Sequence, residues 1–206
     1  MSEVKFLQYR KGCAWQNVAK SEENNISMTH QKFVLMAAWL SATLSLTGAE
    51  NQATLNPHLE PLRPLLGKTW KGTFDGSKPE KPTIDVARWE RALNGQAVRM
   101  LHSINQGVYG GETLFVWNDK SQSVEYFYFT TAGFMTTGVM EVKNGKIETR
   151  EQVKGEASGV TEVRGTSEIL AEGKFHVKAE YLKNGQWTLG HEVTYREDAS
   201  SEVVFK

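Results

Sequence analysis

The stretch Lys174-Phe175-His176-Val177-Lys178-Ala179-Glu180-Tyr181-Leu182-Lys183-Asn184-Gly185 decides the fold. Phe175, Val177, Ala179 and Tyr181 share one face of an extended chain, and Lys174, His176, Lys178 and Glu180 share the other. Strand side chains alternate across a sheet, so this is the pattern of a strand with one face in a core and one in water. Asn184-Gly185 follows, two residues that tolerate the positive φ demanded by a tight type I′ hairpin turn.

The same grammar extends along the chain. Turn signals recur every 8–12 residues or so, at Asn94-Gly95, Gly110-Gly111, Asn118-Asp119, Ala132-Gly133, Asn144-Gly145 and Glu172-Gly173. Between them, ten strands are predicted near Lys68–Asp75, Thr83–Arg91, Gln96–Ile104, Glu112–Asn118, Ser123–Thr130, Phe134–Val142, Lys146–Lys154, Val160–Leu170, Lys174–Lys183 and Trp187–Glu197. Connections this short leave no room for crossover helices and imply an antiparallel up-and-down meander. The expected fold is all-β, a barrel of roughly ten strands over residues 59–206. A short helical turn precedes it, with Asn56 as N-cap and Pro57 at N1. Pro61 and Pro64 are expected to hold that helix to a turn or two, and Leu62, Leu65 and Leu66 to plug one barrel end. The outward positions carry Lys, Arg and Glu, which rules out the apolar lipid-facing band of an outer-membrane barrel.

Upstream of the barrel, Phe33–Leu46 (FVLMAAWLSATLSL) is an uncharged, mostly apolar run preceded by Lys32 and followed by Thr47-Gly48-Ala49. A basic residue, an apolar segment and small residues make a secretory signal peptide, with cleavage expected after Ala49. The run is short of the roughly 20 residues that span a bilayer, and its alternative is a buried core helix. Residues 1–49 thus read as lead plus signal, with Met28 standing where a signal of ordinary length would start, and residues 50–58 as a linker. Cys13, the only cysteine, lies in the lead, so the exported chain is expected to have no disulfide, thiol nucleophile or thiolate metal site. The expected destination is the periplasm or the exterior.

Charge narrows the partners. Formal net charge is zero over 206 residues, and residues 50–206 keep 19 basic against 21 acidic side chains. Neither a nucleic-acid footprint nor a membrane-surface patch is present.

Leu65-Leu66-Gly67-Lys68-Thr69-Trp70-Lys71-Gly72-Thr73-Phe74 resembles the opening strand of the calycin group, which takes in lipocalins, fatty-acid-binding proteins, nitrobindin-like barrels and exported lipocalin-like bacterial families. These begin with a helical turn, then a Gly and a Trp entering the first strand. Here one more residue separates Gly67 from Trp70 than in lipocalins. The resemblance implies structural roles for Gly67 and Trp70, with Arg196 on the last strand packed across the indole. It also implies a small apolar or amphipathic ligand in the lumen.

Candidate ligand-binding residues follow from alternation. His102 shares a face with Val98, Met100 and Ile104, and His191 with Trp187, Leu189, Val193 and Tyr195, so both histidines are expected inside. They suit haem iron or another metal, acid–base work, or simple hydrogen bonding in the lumen. Glu151 sits among Ile147, Thr149 and Val153 and is expected to meet an Arg or His across the lumen, because buried carboxylates are rarely left unpaired. Tyr126, Tyr128 and Trp187 supply aromatic surface for a ligand body or for a packed core. No Gly-x-Ser-x-Gly elbow, His-Glu-x-x-His or phosphate-cradling loop occurs. The chain therefore reads as a binding barrel, with a haem barrel, a closed-core interaction module and a His191/Glu151 hydrolase or isomerase as alternatives. No cofactor is specified by residue spacing.

Overall fold

The computed structural model describes residues 54–155 and 158–206. The expected signal segment Phe33–Leu46, with Ala49, Met28 and Cys13, lies outside the described residues.

Ten antiparallel strands run β1 Lys68–Phe74, β2 Ile84–Ala92, β3 Ala97–Ile104, β4 Tyr109–Asn118, β5 Ser123–Thr130, β6 Met135–Lys143, β7 Lys146–Lys154, β8 Val160–Ile169, β9 Phe175–Lys183 and β10 Gln186–Glu197. Each pairs with its sequence neighbours, and β1 pairs with β10 from Trp70↔Glu197 to Phe74↔Val193, closing the barrel. Closure leaves no edge strand exposed. One expected turn moves: Gly110-Gly111 lies inside β4, and the chain reverses instead at Asn105-Gln106-Gly107, all three at positive φ.

The barrel has two ends of different construction. At the closed end a 3₁₀ segment, Pro57–Leu65, lies against the strands. Nine residues exceed the one or two turns expected, because a helix of three residues per turn tolerates Pro61 and Pro64 while stacking every third side chain on one edge. Leu59, Leu62 and Leu65 occupy that edge and are buried, as is Leu66. Asn56 caps the segment, its side-chain oxygen accepting from the His58 amide at 3.1 Å. Gly67 then turns the chain at φ +70°, and its amide donates to the Trp89 carbonyl at 2.9 Å. Trp70 Nε1 donates to the Leu65 carbonyl at 3.2 Å, tying plug to barrel.

The cation over Trp70 is Lys68, 5.5 Å from the ring centroid. This corrects the expectation for Arg196, which stands opposite Lys71 on the outward-facing row and is exposed. Trp70 points inward; Arg196 has the wrong parity to reach it.

The outer wall carries ion pairs, Arg88 and Arg99 on Glu90, Arg164 on Glu180 and Lys146 on Glu168, and a hydrogen bond between His176 and Glu192. That polarity is opposite to a lipid-facing band. After β10 the chain returns over the outside, where the Val204 amide donates to Ser103 Oγ at 3.0 Å. Among the described residues no helix is long and apolar enough to cross a membrane.

Candidate functional site

A cavity of about 510 Å³ runs up the lumen, from Leu62 at the closed end to Phe134, Ser158 and Val160 near the opposite end, here called the mouth. Its size falls in the range of small-molecule sites. The closed end of the lumen is aromatic and packed. Trp89 stacks on Phe115 with centroids 5.6 Å apart, and meets Phe175 edge-on at 6.2 Å.

Toward the mouth the inward positions turn polar, and two hydrogen-bonded groups adjoin at β5. The first is built from β2, β3, β4, β5 and β10. His102 Nδ1 lies 3.0 Å from Asp85 Oδ1, and His102 Nε2 lies 2.7 Å from Tyr128 Oη. Tyr128 Oη is 2.9 Å from Tyr109 Oη, and Tyr195 donates to Asp85 Oδ2 at 2.6 Å. These contacts join side chains from five strands and engage both ring nitrogens of His102, so the cluster holds Asp85, His102 and Tyr128 in one arrangement.

The second group involves β5, β6 and β7. Glu151 accepts from Thr136 Oγ1 at 2.5 Å and from the Tyr126 hydroxyl. Burial pushes the Glu151 carboxyl up from its ordinary range, and the hydroxyl donors only partly offset this. Burial likewise pushes the phenols of Tyr126, Tyr128 and Tyr195 up, with neighbouring carboxylates acting in the same direction. The expected partner of Glu151 was an Arg or a His; the structure gives two hydroxyls. Every inward neighbour of Glu151 is fixed by the register, and Arg88, Arg99 and Arg164 all fall on outward rows.

Two inward glycines make this arrangement possible. A Cβ on Gly138 would stand 2.5 Å from Tyr126 Cζ, and one on Gly111 2.4 Å from Tyr128 Cε2. The tyrosine rings therefore lie flat across the bare backbone of the next strand and carry their hydroxyls into the lumen.

His191 stands apart from both groups. Its ring stacks on Phe74 with centroids 5.0 Å apart, and Nδ1 lies 2.7 Å from Tyr181 Oη. Burial lowers its affinity for a proton, and His102 acts in the same direction against Asp85. The Tyr181 phenol is pushed up to about 12, chiefly by burial. Among the described residues Nε2 of His191 makes no hydrogen bond, so it is the imidazole nitrogen available to a ligand.

Of the sequence candidates, His102, Tyr126, Tyr128, Glu151 and His191 all line this cavity. Trp187 does not. A bulge between Leu189 and His191 shifts the register of β10 against β9, inverting the alternation beyond it. Trp187 consequently faces outward, with the Arg164 guanidinium 4.4 Å above its ring centroid, and Leu189 beside it is 61% exposed. Asp85, Tyr109, Tyr181 and Tyr195 were missed. The signal for Asp85 was present, since it alternates with Ala87 and Trp89 opposite the charged Arg88 and Glu90.

The crystal structure of Rv2717c from M. tuberculosis has a similar fold. It superposes with a TM-score of 0.51 over 70% of this chain and 99% of that one, at 17% sequence identity. No family model and no curated protein matches this sequence. The likeness establishes a shared barrel architecture, consistent with the calycin-like opening strand; what binds in this lumen has to be argued from its own residues.

Proposed function

We propose that this chain is an exported barrel that takes a small apolar or amphipathic ligand into its lumen. The observation that carries the reading is the cavity of about 510 Å³, apolar toward the closed end and ringed by hydroxyls, imidazoles and a carboxyl toward the mouth. Such a division suits a ligand with an apolar body and one polar end. A lumen filled by side chains would have favoured an interaction module instead; this one is not filled. Export is supported by the basic–apolar–small pattern ending at Ala49.

The test is to express the full chain in a bacterial host with an export pathway, recover it from periplasm and medium, and compare native with denatured mass. The expected result is a mature N-terminus at Glu50 and an added mass released by organic solvent. Ala179→Trp, which fills the lumen from β9, removes the added mass while leaving the circular dichroism of the barrel. Bare polypeptide mass together with no uptake of any apolar probe would defeat the reading.

A second reading has one observation in its favour. His191 presents Nε2 to the cavity with Nδ1 anchored on Tyr181, the arrangement in which an imidazole that donates through one nitrogen ligates through the other. Haem held by His191 would supply a site for a small gaseous or anionic iron ligand. His102 is unsuited, since both its ring nitrogens are engaged. A Soret band lost in His191→Ala would establish this reading; a colourless protein after haem reconstitution would dismiss it. A hydrolase or isomerase draws less support, because Glu151 and His191 share no hydrogen-bond partner.

A further inference from the structure

The lumen has an unbalanced charge inventory. Among the described residues that line the cavity there is no lysine and no arginine, although the chain carries 24 of them. Two carboxyls do line it, Asp85 and Glu151. Asp85 is accounted for, with His102 on one oxygen and Tyr195 on the other. Glu151 has hydroxyl partners and no cationic one. A carboxylate taken from water costs free energy that hydroxyls only partly return, and a cation within reach returns far more.

Resting on the lumen as the binding site, we infer that its ligand is an organic amine, held as the ammonium against Glu151 with its apolar body toward the closed end. Glu151 supplies the counter-charge that the protein itself leaves out. The rings of Tyr126, Tyr128 and Tyr181 stand close enough to Glu151 to feel its charge. Their electron-rich faces favour a cation as well. An anionic head finds the reverse: two carboxyls, phenols that burial keeps protonated, and no fixed positive charge. Of the two lumen imidazoles, His102 already lies against Asp85, and burial disfavours the charged form of His191. A neutral head gains hydrogen bonds but draws no ion pair from Glu151.

The protonation balance gives a distinctive readout. Where the Glu151 carboxyl starts neutral, arrival of R–NH₃⁺ forms the ion pair and releases the carboxyl proton to solvent. Amine affinity therefore rises with pH until the free amine deprotonates near ~10. The titratable groups facing Glu151 are Tyr126, Tyr128 and Tyr181; the others in the lumen are Asp85, His102, Tyr109, His191 and Tyr195. Two of these are imidazoles, so the release must be shown to belong to Glu151.

The experiment is calorimetry on the purified barrel with three probes of equal chain length: n-octylamine, n-octanol and octanoate. Buffers of differing ionisation enthalpy count the protons exchanged. Octylamine is expected to bind at least about tenfold tighter than octanoate and to release a proton. Glu151→Gln should abolish both the preference and the release, with an unchanged circular dichroism spectrum showing that the barrel is intact. Octanoate binding as tightly as octylamine, or a preference that survives Glu151→Gln, would overturn the amine assignment and leave lumen binding standing. If none of the three binds, the lumen reading falls with it.

Discussion

The closed end and the mouth of this barrel are made from the same ten strands and the same alternation, yet they do opposite things. At the closed end the inward positions are Trp70, Trp89, Phe115 and Phe175, and the plug adds Leu59, Leu62, Leu65 and Leu66. Among the described residues there, Trp70 Nε1 donates to the Leu65 carbonyl, Trp89 Nε1 is buried without a hydrogen-bond partner, and the remaining contacts are dispersion. Near the mouth the inward positions are Asp85, His102, Tyr128, Glu151 and His191, each held by a hydrogen bond of defined geometry around open space. Packing is concentrated where the shape is filled, and open volume lies where it is not. Polar groups can line open space at little cost once their hydrogen bonds are made.

The sharpest way to break that contrast is to hollow the filled end. Leu65→Ala is expected to cost about 2–5 kcal/mol, read as a shifted denaturant midpoint, with ligand uptake by the surviving folded fraction unchanged. A loss of uptake without a loss of stability would show that the plug belongs to the site. The next largest effect is expected at the boundary between the two halves. Gly138→Ala puts a methyl into Tyr126 and the Arg150 carbonyl, and should cost about 1–3 kcal/mol by urea denaturation. Because the Tyr126 hydroxyl is displaced, this variant should weaken probe binding as well.

At the mouth the signature is pH rather than bulk stability. Glu151 has its carboxyl raised in the folded state, so the folded protein binds the proton more tightly than the unfolded chain. Its contribution is fully present below about 4.5 and is lost as pH rises through the folded value. Thermal midpoints of wild type and Glu151→Gln should coincide in acid and diverge upward from there, with the variant the more stable at neutral pH. Coincidence at all pH values would mean that Glu151 titrates as in water. His191 runs the other way, since its folded affinity for the proton is depressed. Its contribution is present above about 6.5 and is lost as pH falls, so His191→Gln should flatten the acid side of the same curve. The smallest effect belongs to the outer wall. Arg164→Ala removes an exposed pair with Glu180 and the cover on Trp187, and should move stability by less than about 1 kcal/mol.

The mouth was only half legible from residues. His102, Tyr126, Tyr128, Glu151 and His191 could be placed inside because period-two alternation fixes side from sequence position alone. Trp187 was misplaced because a bulge is one extra residue: the pairing slips at Gly190, a glycine of the kind that marks bulges, and the alternation was carried straight through it. Arg196 failed differently: its outward side was countable from Tyr195, and the cation over Trp70 is Lys68, two residues before it on β1. The partner of Glu151 also lay beyond pattern reading. Complementary charge was the reasonable expectation, and the register brought Thr136 and Tyr126 instead.

The sequence by itself determined the class of fold, the number of strands, nearly all of their boundaries and the leucine-bearing helical plug. These depend on local turn chemistry and on a periodicity read over a few residues. Only the tertiary structure decided that the sheet closes between β1 and β10, that the lumen stays open, and that Glu151 faces hydroxyls with no cation near it. Those facts arise from pairings between residues tens of positions apart, such as the 110 residues that separate Asp85 from Tyr195. Alternation says which side a residue faces; only register says what it meets there.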